Sequence, residues 1–239
     1  MSVSSDDYMK IDLHCHSEAS MDCITPAVLI PNRCVEQGIR VQAITDHNEI
    51  WAAQKIKAAV ESDPGCDLTI IVGEEISTNE GEVIGLFLQK EIEAGLSAAE
   101  TIRRIREQNG LVLLPHGFDP LKRYRLKPDV REQLVGSFDI VETFNARISR
   151  PRWNETAVIW ATQHQLPMSG GSDAHRLLDI GDAWVEVPRR PIQTPADLLE
   201  ALGQAKQPDG KWTHPVWAYG KKTWHQLKAR WRQQQGIFL

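Results

Sequence analysis

The sequence has no long hydrophobic run. Its mostly apolar stretches, such as Leu111–Leu114 and residues 67–72, fall far short of the roughly 20 residues that cross a bilayer, so no membrane partner is expected. The N-terminus, MSVSSDDYMK, is acidic and polar and lacks the basic and apolar blocks of a secretory leader; the expected address is the cytoplasm. Cysteine is scarce. Cys15, Cys23, Cys34 and Cys66 sit at irregular spacings, form neither a CxxC pair nor a disulfide framework, and read as free thiols. No polar or low-complexity tract interrupts the chain, and with 41% hydrophobic and 25% charged residues disorder is excluded as the general state.

What is present is a chain of 239 residues, enough for one large domain or two small ones with a well-buried core. The formal charge of −5 is unevenly spread. Residues 207–239 hold Lys211, Lys221, Lys222, Lys228, Arg230 and Arg232 against the single acid Asp209. The segment also carries Trp212, Trp217, Trp224 and Trp231, of which Trp224 and Trp231 share a helical stripe with Leu227. This basic, Trp-rich extension is expected to pack on a main domain spanning residues 8–206; gripping single-stranded nucleic acid between its rings and bases is the alternative.

Short β-like runs alternate with helical patterns over that domain. Strands are predicted at Lys10–Leu13, Val41–Thr45, Leu68–Val72, Val83–Leu88, Leu111–Leu114, Phe138–Thr143 and Ala183–Val187, with a shorter segment at Pro167–Gly171. Thr25-Pro26 predicts a helix start, with Pro31 ending or kinking its first turns. Ser97-Ala-Ala-Glu100 reads as a capping box and Gly110 as the C′ residue of the same helix. Thr194-Pro195 opens a third, with Leu198, Leu199 and Leu202 on one face. Such alternation argues for parallel βαβ units.

The distinctive residues sit just past the strands. The runs end in His14-Cys15-His16, Asp46-His47-Asn48, Gly73-Glu74-Glu75, Pro115-His116, Asn145-Ala-Arg147 and Ser172-Asp173-Ala-His175. In a parallel barrel the C-terminal strand ends share the face that carries the chemistry. His14 and His16, two apart on an extended backbone, point to one side and Cys15 to the other; Asp173 and His175 repeat the spacing. Adding His47, His116 and Glu75 makes a set of ionisable groups too costly to gather unless paired or metallated. Imidazole and carboxylate donors suit Zn, Mn or Fe, and a bridging carboxylate suits two or three ions.

The motifs DLHCHS, ITDHN, GEEIS, PH and GSDAH, in this order and spacing over roughly residues 10–187, resemble those of the PHP (polymerase and histidinol phosphatase) superfamily. The resemblance implies a distorted (β/α)7 TIM-like barrel with two or three divalent metal ions at the C-terminal strand ends, hydrolysing phosphoesters. It also implies roles. His14, His16, Glu75 and Asp173 would hold one ion, Glu75 bridging to a second held by His116, while Asp22, eight residues after His14, would join His47 and His175 at a third. Where many members carry a histidine after the bridging Glu, this chain has Glu82, which replaces that ligand or leaves the site differently occupied. The G-x-E-I pattern selects Glu75, and Glu74 should face away as a salt-bridge or surface residue.

Asp46 is expected to orient a ligand imidazole or to cap the next helix. Asp22, His47 and His175 are the candidates to assist proton transfer. Lys122, Arg123 and Arg125, and Arg147, Arg150 and Arg152, come after strand ends on the same face, and a guanidinium suits bidentate phosphate contact; Arg147, with Asn145, is the preferred substrate contact because Asn145-Ala-Arg147 resembles a motif that follows this strand in related sequences. The expected substrate is a small phosphomonoester, a nucleotide or a nucleic-acid end. An amide or C–N bond hydrolase of similar barrel design and a non-catalytic metal-stabilised module are the competing readings.

Overall fold

In the computed structural model, which describes residues 7–212, nine strands form one sheet that curls into a nearly closed barrel. In chain order the elements are β1 (Tyr8–Asp12), a short 3-10 turn at Ala27–Leu29, α1 (Ile30–Glu36), β2 (Ile39–Ile44), α2 (Trp51–Glu61), β3 (Thr69–Thr78), β4 (Gly81–Leu86), α3 (Ala98–Glu107), β5 (Leu111–Leu114), α4 (Pro128–Gln133), β6 (Ile140–Asn145), α5 (Arg152–Gln163), β7 (Met168–Gly171), β8 (Ala183–Pro188), α6 (Pro195–Leu202) and β9 (Asp209–Gly210). The sheet order is β7-β6-β5-β4-β3-β2-β1-β8-β9. Closure comes where the Leu13 amide donates to the Gly170 carbonyl at 3.2 Å and Cys15 bridges Ala174, joining the ends of β1 and β7. Among the described residues no helix is long and apolar enough to cross a membrane.

The α/β barrel expected from the sequence is present, with three departures. First, the sheet is mixed. β1, β2 and β3 are parallel, as are β5, β6 and β7, but β4 runs antiparallel to both β3 and β5. Only Asn79 and Glu80 separate β3 from β4, and a parallel return needs a crossover of a dozen or more residues, so the chain makes a hairpin instead. Second, β3 does not stop at Val72 but continues to Thr78, because beyond its pairing with β2 it gains β4 as a partner. Third, β8 pairs antiparallel with β1, and β9, beyond residue 206, extends the sheet on β8.

Helix boundaries obey local chemistry, not always the one foreseen. Thr25-Pro26 leads into the 3-10 turn, and Pro31 sits in the first turn of α1, where its missing N–H costs nothing. Ser97 accepts from the Glu100 amide, but the Glu100 carboxylate pairs with Arg103 and Arg104 rather than completing the box. The C′ residue of α3 is Asn109, with φ 58°, and Gly110 is one further on, its amide reaching the Ile105 carbonyl at 3.0 Å. Thr194 and Asp197 form the complete capping box of α6. Trp217, Trp224, Leu227 and Trp231 lie outside the described residues.

Two apolar layers result from the period-2 alternation of the strands. Ile11, Leu13, Val41, Ala43, Ile71, Ile84, Leu113 and Ile140 fill the barrel interior, closed below by Leu198 and Leu202 of α6. Ile44, Ile70, Val72, Ile76, Val112, Leu114 and Val141 face outward against Ile56, Ile105 and Trp160 of the helices. Above the inner layer lie His14, His16, Glu75 and His116. The polar floor of a cavity begins there.

Candidate metal centre

The chain turns inward again after Leu13, placing His14 and His16 on the barrel axis while Cys15 joins the outer core. Both imidazoles are fully buried. Their Nε2 atoms face one another at 3.2 Å, and each lies 3.3 Å from Oε2 of Glu75. Asp173 Oδ1 is 3.6 Å from His16 Nε2 and 3.9 Å from His14 Nε2. His116 Nε2 approaches the other Glu75 oxygen at 2.9 Å. On the far side, His47 Nδ1 lies 3.2 Å from Glu75 and 3.7 Å from Glu82, and Glu82 is 3.7 Å from His116. Asp22 spans His175 Nε2 at 3.2 Å and His47 Nε2 at 3.7 Å. All nine side chains expected at the centre thus converge on one floor.

Four overlapping groups have donor atoms within 4.8 Å of one another: His14, His16 and Glu75; His14, His116 and Asp173; His47, Glu75 and Glu82; and His16, His47 and His175. The hydrogen bonds behind the rings suit metal binding. Glu142 can only accept, so His14 Nδ1 donates to it at 2.9 Å and the His14 Nε2 lone pair is turned into the cluster. His16 Nδ1 meets Ser20 Oγ at 2.9 Å, and Ser20 is held by Asp46 at 2.7 Å. Two imidazole Nε2 atoms aimed at each other beside two carboxylates are a donor set for cations, and the buried Nδ1 of His116 has no hydrogen-bond partner among the described residues. The residues fit divalent metal ions.

The electrostatics agree. Burial pushes the Glu75 carboxyl upward, yet His14, His47 and His116 outweigh it and hold Glu75 well below the ordinary range. Burial likewise works against Asp173, but Lys122 and Arg147 keep it ionised. Glu82 goes the other way: burial, then the nearby Glu75 charge, raise it well above the usual carboxylate value. Burial lowers His47 and, with Arg147 beside it, lowers His175 further. Burial works against a charge on His14 and His16, yet Glu75, Glu142 and Asp173 raise His14 well above its ordinary value, and Asp173 and Glu75 raise His16 to about 8; the carboxylates draw positive charge to the two imidazoles, where a divalent cation would supply it instead of protons. His116 and Asp173 also carry φ values of 27° and 49°, a left-handed backbone that costs a non-glycine residue of order 1–3 kcal/mol and collects at functional sites.

Several residues stand differently from expectation. Glu74 is neither a salt-bridge partner nor a surface residue. It is fully buried on the outer face of β3, its Oε2 accepting the Ile92 amide at 2.9 Å, and burial lifts its carboxyl to about 8. Of the two roles expected for Asp46 the structure has the first: it orients His16 through Ser20 and does not cap α2, whose N-cap is Ile50. Asn145 is fully buried, its amide given to Glu142 at 3.0 Å and Asp173 at 3.3 Å and its oxygen taking the Arg147 amide. Arg147 lines the cavity but is nearly buried, with Nη1 donating to the Asp173 carbonyl at 2.9 Å and contacting His175 Nδ1. Lys122 contacts the remaining Asp173 oxygen.

The residue sequence reasoning passed over is Glu142. It braces His14 through Oε1 while Oε2 accepts the His116 amide at 2.7 Å. Its signal was available: an acid between Val141 and Thr143 in a buried strand needs strong partners to be there. Asp12 acts similarly, accepting the His14 amide at 3.1 Å and the Ser172 hydroxyl at 2.6 Å.

Above this floor opens a cavity of about 470 Å³, walled by Asp22, His47, Glu75, Glu82, His116, Asp173 and His175 and by Lys122, Arg123, Tyr124 and Arg147 of the loops. The PHP domain model matches residues 12–140, and a PHP-associated model matches residues 151–206. An uncharacterized protein of Methanocaldococcus jannaschii is 38% identical over 193 residues, covering 80% of this chain and 75% of that one. A 5′-3′ exoribonuclease of Haemophilus influenzae is 30% identical over 125 residues, covering 47% of this chain and 44% of its own length. The fold is similar to a two-domain protein of Bacteroides vulgatus containing a predicted PHP-like metal-dependent phosphoesterase, with a TM-score of 0.66 at 18% identity over 83% of this chain and 64% of that one. The matched model spans over half the chain, from the first buried aspartate to the strand that carries Glu142, and the chain belongs to the PHP family.

Proposed function

We propose that the protein is a metal-dependent phosphoesterase that hydrolyses a phosphomonoester or the phosphate of a nucleotide or oligonucleotide. The observation that carries the reading is the convergence of nine imidazole and carboxylate side chains on one cavity floor, with two cationic side chains beside them. His14, His16, Glu75 and Asp173 would hold one divalent ion, Glu75 with His116 and Glu82 a second, and Asp22, His47 and His175 a third. Bound there, Zn, Mn or Fe ions would supply positive charge to phosphoryl oxygens and a water of lowered pKa.

The chain's own residues do the rest. Arg147 and Lys122 bring fixed positive charge to the wall of the cavity, where a phosphoryl group gathers negative charge in the transition state. Glu142, Asn145 and Asp12 lock the floor so that this charge meets a rigid arrangement. With no third ion at that position, Asp22 lies between two imidazoles whose burial lowers their pKa, and His47 or His175 could then accept a proton and Asp22 stabilise the charge that results. The similarity to exoribonucleases supports a phosphorylated or nucleic-acid substrate.

The test is turnover by protein loaded in turn with Mn, Zn and Fe, assayed on phenyl phosphate, sugar phosphates, nucleoside monophosphates and 5′-phosphorylated oligonucleotides. Release of phosphate or nucleotide that chelator abolishes is expected with at least one metal. No hydrolysis of any of these with all three metals overturns the proposal.

A further inference from the structure

The main cavity does not end at the metal centre. A second hollow of about 190 Å³ continues from it along the β3–β4 turn, and Ser77, Glu82, Arg123 and Tyr124 line both. Its outer part is bounded by Arg125 and Lys127 opposite Asn79 and Glu80. Three cationic side chains, Arg123, Arg125 and Lys127, thus share the hollow with two acids, Glu80 and Glu82, and neither Arg123 nor Arg125 forms an ion pair among the described residues. Other arginines of the surface, such as Arg103, Arg106 and Arg190, do have carboxylate partners.

One aromatic ring, Tyr124, stands at the junction between the hollows, with Leu121 and Met21 nearby on the rim of the main cavity. Tyr124 is 57% exposed, and Leu121 and Met21, on the same rim, are 70% and 93% exposed. Large apolar groups this bare, around a polar cavity, mark a surface that something covers. The Arg123 guanidinium lies 5.4 Å from the Tyr124 ring centre, an arrangement that favours stacking of a further flat ring. The loop is held in place: the Glu82 amide donates to the Tyr124 carbonyl at 2.7 Å and the Lys127 amide to the Glu80 carbonyl at 2.9 Å. Gly81, with φ 128°, is what allows this, because a Cβ there would lie 2.4 Å from Leu126 Cα and 2.5 Å from the Arg125 carbonyl.

We propose that residues 121–127 and the β3–β4 turn form a second substrate subsite, in which Tyr124 stacks the terminal base of a 5′-phosphorylated oligonucleotide and Arg123 and Arg125 take its next phosphate. The inference rests on the phosphoesterase reading and assigns that reaction its specificity: the terminal phosphate sits over the metal centre, the base covers the apolar rim, and the following phosphate balances the unpaired arginines. A ring at Tyr124 alone would serve any nucleotide. The arginines add a preference for more than one phosphate.

The test is binding to the metal-loaded protein of three probes whose 5′ ester oxygen is replaced by methylene, with both ester oxygens of the internal linkage replaced as well in the dinucleotide, so that none is hydrolysed: the diadenylate, the adenosine monophosphate analogue and the ribose phosphate analogue. The wild type is expected to bind them in that order of affinity. Arg123→Ala with Arg125→Ala should lower the ratio of diadenylate to mononucleotide affinity by roughly 10- to 100-fold and flatten the salt dependence of diadenylate binding by about one unit of slope. Tyr124→Ala should lower the mononucleotide to ribose phosphate ratio by roughly 5- to 100-fold, and Tyr124→Trp should restore it. Equal affinity of the wild type for diadenylate and mononucleotide, or ratios unmoved by these variants, overturns the subsite. Turnover of phenyl phosphate by the wild type tests the phosphoesterase reading separately, since that ester has neither base nor second phosphate.

Discussion

The two faces of β3 put neighbouring carboxylates in equally dry places and give them opposite character. Glu75 and Glu74 are both essentially inaccessible. Glu75, on the inner face, is surrounded by His14, His16, His47 and His116 and is held ionised. Glu74, on the outer face, has one amide donor and an oxygen without a partner among the described residues, and burial carries its pKa to about 8. Burial alone therefore does not say what an acid does. The partners decide whether desolvation is overcome, and a one-residue step along a strand exchanges one set of partners for another.

The contrast between the faces is tested most severely by Glu75→Gln. A neutral amide cannot bridge cations, so metal stoichiometry by elemental analysis and turnover should fall together, with kcat/KM down by at least about 100-fold. If metal content is unchanged, Glu75 is not the shared ligand. Arg147→Ala tests the cationic wall of the same face: kcat/KM for a phosphoester should drop roughly 10- to 1000-fold with metal content near normal, and Arg147→Lys should recover only part of it because the fork is lost.

A smaller effect is expected for Glu142→Gln, which keeps the shape but weakens the brace on His14 and the His116 amide. Metal affinity, measured by competition with a chromogenic chelator, should fall about 10- to 100-fold. Smallest is Glu74→Gln, for which metal content and turnover should hardly change. Its signature is in stability. A carboxyl at about 8 in the fold and 4.5 in its ordinary state binds more protons folded than unfolded, so this residue makes wild-type stability decline as pH rises through that window, by at most about 1.4 kcal/mol per pH unit. Glu74→Gln should flatten the decline in Tm from pH 5 to pH 8. Loss of metal in this variant would mean that the two faces are assigned the wrong way round.

Much of the centre was legible because its spacing is local. His14 with His16 and Asp173 with His175 are two apart on extended backbone, so which way each pair points depends only on strand geometry. His47, Glu75 and His116 were legible as strand-end residues, because the strands around them are marked by Val, Ile and Leu between turn residues. Less visible was anything requiring two distant segments. Glu142 meets His14 across 128 positions, and its role depends on how β6 is seated in the barrel. Glu74 looked like a surface acid because the outer face of β3 is covered by the segment around Ile92, a loop whose path no periodicity describes.

Periods of two and short runs of adjacent residues were enough for the alternating strands and helices and for the chelating pairs, while the choice of Glu75 over Glu74 came from the resemblance of GEEIS to the family pattern. It took the closed barrel to turn β4 back antiparallel, to brace the ligand imidazoles with Glu142 and Ser20, to engage Arg147 partly with Asp173 and His175, and to lay loop 121–127 along the β3–β4 turn. The reason is physical. A side chain's direction is a property of its own strand, whereas its partners, and through them its charge, are set by which other strands and loops the barrel closes against it.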